Sequence, residues 1–397
     1  MLSCRAPVWR HCASSFGALT RSNRYVKRHL YLCIKRSCSS AAFSPRFNEP
    51  KIEKLVGTWF LGCSGLVFGT LVVGGITRLT EAGLSMVDWH VIRGMKPPVS
   101  EADWMQEFDK YKQYPEYKYK SSDREMTLDE FKFIWRMEYT HRMIARALGL
   151  VFILPAAYFW YKGFLRPTVK IPVIACGSLV VLQGLLGWYM VKSGLDTNES
   201  APRVSHYRLT SHLTLAFGLY GLLLWCSLAH LFPVNHNYLI PGVKRLRALT
   251  ALSLGASALT SVWGGLTSGL QAGLVYNSWP KFADRWIPAD LLTLQPLWKN
   301  GFENRTAVQF AHRNLAYLTF GLVVATWLVG RRMPLAARSR RVLHALIVTC
   351  AAQMALGIAA LVHYVPLSLA EAHQANFMVL LTFATWLLNE LRRMPVK

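Results

Sequence analysis

Eight apolar runs, each close to the length of a bilayer crossing, follow one another along the chain. They cover residues 55–77, 139–161, 171–191, 209–232, 248–269, 307–330, 342–363 and 370–391. Charges bound several of them: Lys54 and Arg78 enclose the first, Lys170 and Lys192 the third. The second run departs from this pattern. Only 147–161 is free of charge there, so a full-length helix must take Glu138, His141, Arg142 and Arg146 into its first turns. The pattern predicts an all-α membrane protein with eight transmembrane helices.

The runs are related in pairs. GGITRLTEAGL (Gly74–Leu84) closes the first and GGLTSGLQAGL (Gly264–Leu274) closes the fifth, and Trp89 and Trp279 keep the same spacing. EYTHRMIARALGLVF opens the second run and QFAHRNLAYLTFGLVV the sixth. LQGLLG in the third answers AQMALG in the seventh, and SHLTLAF in the fourth answers AHQANF in the eighth. Similar letters are common in apolar sequence; the same motifs in the same order on matching helices indicate duplication. Two pseudo-symmetric four-helix bundles follow, a parallel internal repeat about an axis along the membrane normal. The expected division is 49–235 and 236–397.

Four histidines occupy repeat-equivalent positions: His141, His212, His312 and His373. Each lies a few residues inside its run, roughly 5–10 Å below the same membrane boundary at the rise of an α-helix. Two imidazoles facing each other within an apolar bundle suit a haem, whose iron takes axial histidines and whose macrocycle is a large apolar disc. Zinc fits less well, because it wants four ligands and a polar surrounding shell. Arg142 and Arg313, next in sequence to two of the histidines, are candidates for haem propionates or lipid phosphates. A single histidine near a helix end can equally rest at the membrane interface, and His90, His206, His230, His236, His344 and His363 are read that way. His206 and His363 lie on the correct side to serve as alternatives.

The halves differ beside the histidines. Glu138 precedes His141 by one helical turn, whereas Gln309 stands at that place before His312. An ionisable carboxylate at membrane depth marks a functional site by default. The alternative is an ion pair with Arg142.

Composition and charge sharpen the topology. Apolar residues make up 52% of the chain and the mean hydropathy is +0.23, outside the range of a set of soluble domains. Residues 1–48 are Arg- and Ser-rich with no acidic residue, which reads as a mitochondrial transit peptide, a disordered basic tail being the alternative. The net charge of +24 is therefore assigned to targeting and topology, with no nucleic acid as partner. Four of the eight cysteines fall in that leader; Cys63, Cys176, Cys226 and Cys350 are scattered singly through apolar runs. Lys and Arg concentrate on one set of short connections (Lys162, Arg166 and Lys170; Lys244, Arg245 and Arg247; 331–341) and on the C-terminal tail. Both termini are thus expected in the matrix of a mitochondrial inner membrane, with 78–138 and 270–306 in the intermembrane space. The first of these loops carries mixed charges and interleaved tyrosines; it is a partner surface or a passive connection.

The segments GGITRLTEAGLSMVDW, EYTHRMIARALG, LQGLLGWYMVKSGL, TSHLTLA, QFAHRN and AEAHQANF together resemble the mitochondrial haem A synthase family, from about Lys51 to the C-terminus. The resemblance implies an inner-membrane oxidoreductase that converts a methyl group of haem O to a formyl, giving haem A for cytochrome c oxidase. It implies a haem b cofactor on His312 and His373, and haem O on His141 and His212 with Glu138 as the catalytic carboxylate. Implied partners are inner-membrane lipid, an electron donor (a matrix ferredoxin system is the candidate) and haem O synthase, with a homo-oligomer as the expected assembly. Some bacterial members have cysteine pairs in outer loops, and this chain has none there. Two other readings stay open: a b-type electron carrier and a transporter.

Overall fold

Helix ends in this chain are marked by residues that satisfy backbone donors left open by the first turn. In the computed structural model, which describes residues 49–90, 96–120, 125–195 and 204–392, α1 (Pro50–Leu79) starts on a proline at its first turn. Ser100 caps α2 (Glu101–Lys112) in a reciprocal box with Asp103, and α3 (Pro115–Lys120) follows. Thr127 and Glu130 form the same box at the start of α4 (Leu128–Tyr161). After α5 (Pro167–Leu195) and α6 (His206–Leu231), a short 3-10 turn at His236–Leu239 leads into α7 (Val243–Gly269). The four-residue α8 (Asn300–Glu303) abuts α9 (Arg305–Gly330), whose cap Asn304 accepts from the amides of Thr306 and Ala307. Helices α10 (Ala337–Val362) and α11 (Leu367–Glu390) complete the order, and no β-sheet forms among the described residues. The leader expected at 1–48 lies outside the described residues.

Seven of these helices, α1, α4, α5, α6, α7, α9 and α10, are long and apolar enough to cross a membrane. The expected eighth run is the 24-residue α11, which falls short in hydropathy because its first half carries Glu371, His373, Gln374 and Asn376. Large apolar side chains point outward along the helices, among them Leu150, Leu154, Ile171, Ile174, Leu252 and Val348. An apolar exterior over polar contacts within suits a lipid surround, and the protein is a multi-pass membrane protein.

The second run corrects its own boundary. At 34 residues α4 exceeds the roughly 20 that span a bilayer, so its first turns stand clear of the apolar layer. There they meet α2 and the end of the α1 loop in a small separate core of Trp104, Phe108, Tyr111, Phe131 and Trp135. Phe108 stacks on Phe131 at 4.8 Å and Trp104 meets Trp135 edge-on at 5.0 Å. Burial holds the Tyr111 phenol above its ordinary pKa, and Glu116, which accepts its hydroxyl at 3.1 Å, adds to this. The described part of the loop thus packs as a cap on the start of α4.

Residues 47–397 make one compact unit, and the two sequence halves share a packed boundary within it. There, α11 lies against both α1 and α6: Gln374 donates to the Leu71 carbonyl at 2.8 Å, Tyr220 and Thr382 hydroxyls meet at 2.6 Å, and Phe217 packs on Phe377 at 4.9 Å. At the end where α6 and α11 finish, the buried carboxylate of Glu390 accepts from Arg338 Nε (2.6 Å), Trp386 Nε1 (3.1 Å) and Ser339 (3.1 Å), and Asn235 also reaches it. This latch ties the connection between the halves to the start of α10.

Candidate haem-binding site

Each of the four histidines projects from one helix onto a glycine of its neighbour. A Cβ placed on Gly74 of α1 would come within 2.8 Å of His141 Cε1 on α4, and one on Gly264 of α7 within 3.2 Å of His312 Cε1 on α9. Gly187 of α5 stands the same way to His212 of α6 (3.7 Å), and Gly357 of α10 to His373 of α11 (2.8 Å). At Gly74 and Gly357 only a residue without a side chain lets the imidazole approach this closely, Gly264 is tight, and Gly187 is in ordinary contact. These are the glycines of the paired GGIT/GGLT and QGLLG/QMALG motifs, each set against one of the four histidines. In the sequence these glycines stand out only as motif letters; their pairing with four in-register histidines is the signal of their role.

The rings pair up in space. His141 and His212 lie close enough to act on each other electrostatically, as do His312 and His373. His312 and His373 line one cavity of about 440 Å³, walled by apolar residues such as Phe320, Met354, Phe377 and Leu380. His312 Nδ1 is 3.1 Å from the Thr260 carbonyl, to which it donates, leaving Nε2 with its lone pair. The Gln353 amide lies 3.2 Å from His373 Nδ1, and its Oε1 accepts from Asn376 at 2.8 Å. In the other half, His141 faces the Thr70 carbonyl, the counterpart of Thr260, while His212 Nδ1 is buried with no hydrogen-bond partner and Gln183 donates to the His212 carbonyl at 3.0 Å.

The other histidines have local roles. His230 Nδ1 bonds the Cys226 carbonyl at 2.6 Å, His344 accepts from Trp327, and exposed His363 bonds its own helix.

The arginines also obey the repeat. Arg142 donates to the carbonyls of Met86 and Asp88 (both 2.9 Å); Arg313 donates to those of Tyr276 (2.9 Å) and Ser278 (3.0 Å), positions separated by the spacing that relates Gly74 to Gly264. Arg142 then gives Nε to Glu138 Oε1 at 2.5 Å, with both side chains 7% exposed. The ion pair weighed from sequence is thus present, and Arg142 has no open donor of the kind a propionate would need at Nε. Gln309 instead donates to the carbonyls of Ala272 (2.9 Å) and Tyr276 (3.2 Å).

Two facing imidazoles, glycines that clear room beside them, apolar walls and a buried cation fit a haem. Among the described residues no three His, Cys, Asp or Glu side chains converge as a bare metal site. The fold and this site define a helical membrane protein whose helices carry paired histidines beside an apolar cavity. Residues 57–385 match the COX15-CtaA family of cytochrome oxidase assembly proteins, and the chain belongs to that family. It is 50% identical to heme A synthase COX15 of Mus musculus over 349 residues, covering 86% of this chain and 83% of the mouse protein. It is 49% identical to the Homo sapiens protein of the same name over 346 residues (86% and 84%). Similarity reaches bacteria: heme A synthase of Nitrosospira multiformis is 42% identical over 345 residues (86% and 95%).

Proposed function

We propose that this protein is a haem A synthase, oxidising a methyl group of haem O to a formyl group to give haem A for cytochrome c oxidase. Its place is the mitochondrial inner membrane, with α11 as an eighth span, two four-helix bundles and both termini in the matrix. The observation that carries the reading is a duplicated arrangement in which glycine, histidine and arginine repeat but one copy alone adds a buried carboxylate. A pure electron carrier has no use for that difference.

The C-terminal pair is the resident haem b site. His312 and His373 would hold a haem b, which would supply one-electron transfer there. Thr260 sets the tautomer of His312, and Gln353, held by Asn376, packs beside the His373 ring. The N-terminal pair, His141 and His212, receives haem O. Glu138 is the carboxylate that accepts protons as the methyl carbon is oxidised through a hydroxymethyl stage, or that stabilises positive charge developing there. Arg142 fixes where that carboxylate stands before substrate arrives. Electrons come from a donor for which a matrix ferredoxin system is the candidate; haem O synthase is the partner that hands over substrate, and the working assembly is a homo-oligomer.

The test is chromatography of haems extracted from the purified protein, read with its reduced spectrum. Haem b together with haem O, haem A or a hydroxylated intermediate is expected. Haem b alone would favour the electron carrier, and a protein without haem would overturn the histidine pairs. Glu138→Ala should retain haem b while haem A production falls by roughly 10²–10⁴-fold; undiminished production would remove Glu138 from the chemistry.

A further inference from the structure

The two arginines spend their donors differently. A guanidinium offers five N–H groups in a rigid fork. Arg142 uses Nη1 and Nη2 on loop carbonyls and Nε on Glu138. Arg313 uses only Nη2 on the equivalent carbonyls; its Nε and Nη1 are buried without a partner. The side chain is 8% exposed, lies over the Phe282 ring at 4.1 Å, and lines the cavity that holds His312 and His373. Gln309, where a carboxylate would stand by the repeat, keeps its amide on the loop, and its Oε1 is buried with no partner. A buried cation with open donors is costly unless a ligand brings the missing charge and acceptors.

We propose that Arg313 is the seat for a carboxylate of the porphyrin in the C-terminal cavity, and that Glu138 is the built-in occupant of the matching seat on Arg142. This rests on the haem reading above. The porphyrin between His312 and His373 is then anchored three ways, by two imidazoles and one guanidinium. The porphyrin between His141 and His212 must displace Glu138 to gain the same anchor, and in doing so it frees the carboxylate beside it. The same position, Glu138 in one copy and Gln309 in the other, therefore separates an exchangeable porphyrin from a resident one.

The experiment uses full-length protein in detergent, with the C-terminal site loaded with protohaem or with protohaem dimethyl ester, whose carboxylates are masked. Release to apomyoglobin is followed by absorbance. The parent should lose the ester about 10- to 100-fold faster than the free acid, the worth of one charge-assisted hydrogen bond. Arg313→Gln should lose both at one rate. Gln309→Glu, which keeps the arginine and supplies an internal carboxylate, should bring release of the free acid up to that of the ester. Glu138→Gln should do the reverse and make the N-terminal half retain a second equivalent of protohaem through gel filtration. Equal release of acid and ester from the parent would overturn the proposal while leaving the histidine ligation intact. Failure of the parent to show a low-spin haem that His312→Ala and His373→Ala abolish would instead overturn the haem reading beneath it.

Discussion

His141 with His212 and His312 with His373 sit on matching helices against matching glycines, yet their surroundings are not alike. His312 and His141 face equivalent carbonyls, Thr260 and Thr70, whereas Gln353 lies beside His373 and His212 Nδ1 is buried without a partner. The C-terminal half leaves its buried arginine open, whereas the N-terminal half closes it with Glu138. Above the membrane the contrast continues, with a folded aromatic cap over one half. Over the other half lies the 270–304 segment, pinned by Asn304 to the Asp290 carbonyl at 2.8 Å and by Thr306 to the Asp290 carboxylate at 2.6 Å. The two halves thus present matching glycine–histidine contacts and differ at a few polar positions, Glu138 against Gln309 above all.

The sharpest way to break this comparison is to fill the glycine contacts one half at a time. Gly357→Val should lower haem b content by at least ~10-fold, since its Cβ collides with His373, while Gly74→Val should leave haem b in place and stop product formation. Loss of haem b from both variants would mean that the halves do not load independently. Next in size, Phe131→Ala removes a fully buried ring from the cap and should cost that unit about 3–5 kcal/mol. Limited proteolysis should then cut within 96–138, with haem b content unchanged; a fall in haem b would couple the cap to the wrong half.

Glu390→Ala tests a feature of the C-terminal half alone, Ala229 and Thr168 standing where its partners in the repeat would be. It leaves Arg338, which is partly exposed, without its carboxylate, so about 2 kcal/mol is expected as a lowered thermal midpoint in detergent. An unchanged midpoint would show that the latch adds nothing to stability. The smallest effect belongs to Ser100→Ala, about 1 kcal/mol of helix stability in α2, read by amide exchange in the cap.

Much of this arrangement was legible in the chain because helices in a membrane announce themselves by continuous apolar length, and because duplication prints the same letters twice. The four histidines and Glu138 could be placed on their helices from spacing alone. What spacing could not reveal was depth of commitment: Arg142 reads the same as Arg313 in sequence, and only the third donor distinguishes them. The extent of α4 was also hidden, since its charged first turns looked like an ill-formed span until Trp104, Phe108 and Tyr111 supplied a second core for Phe131 and Trp135 to join. Likewise α11 carries its polar residues inward toward α1, α10 and Arg338, which lowers its hydropathy without ending its helix.

One hydrogen bond bears on how the protein is made. Gln374 reaches the Leu71 carbonyl from 303 residues further along the chain, joining the last long helix to the first. The ribosome therefore completes the wall of the N-terminal half only when translation is nearly over. Until α11 arrives, α1 has an open flank beside the helix pair that bears His141. The contact between α1 and α11 is thus deferred to the end of synthesis.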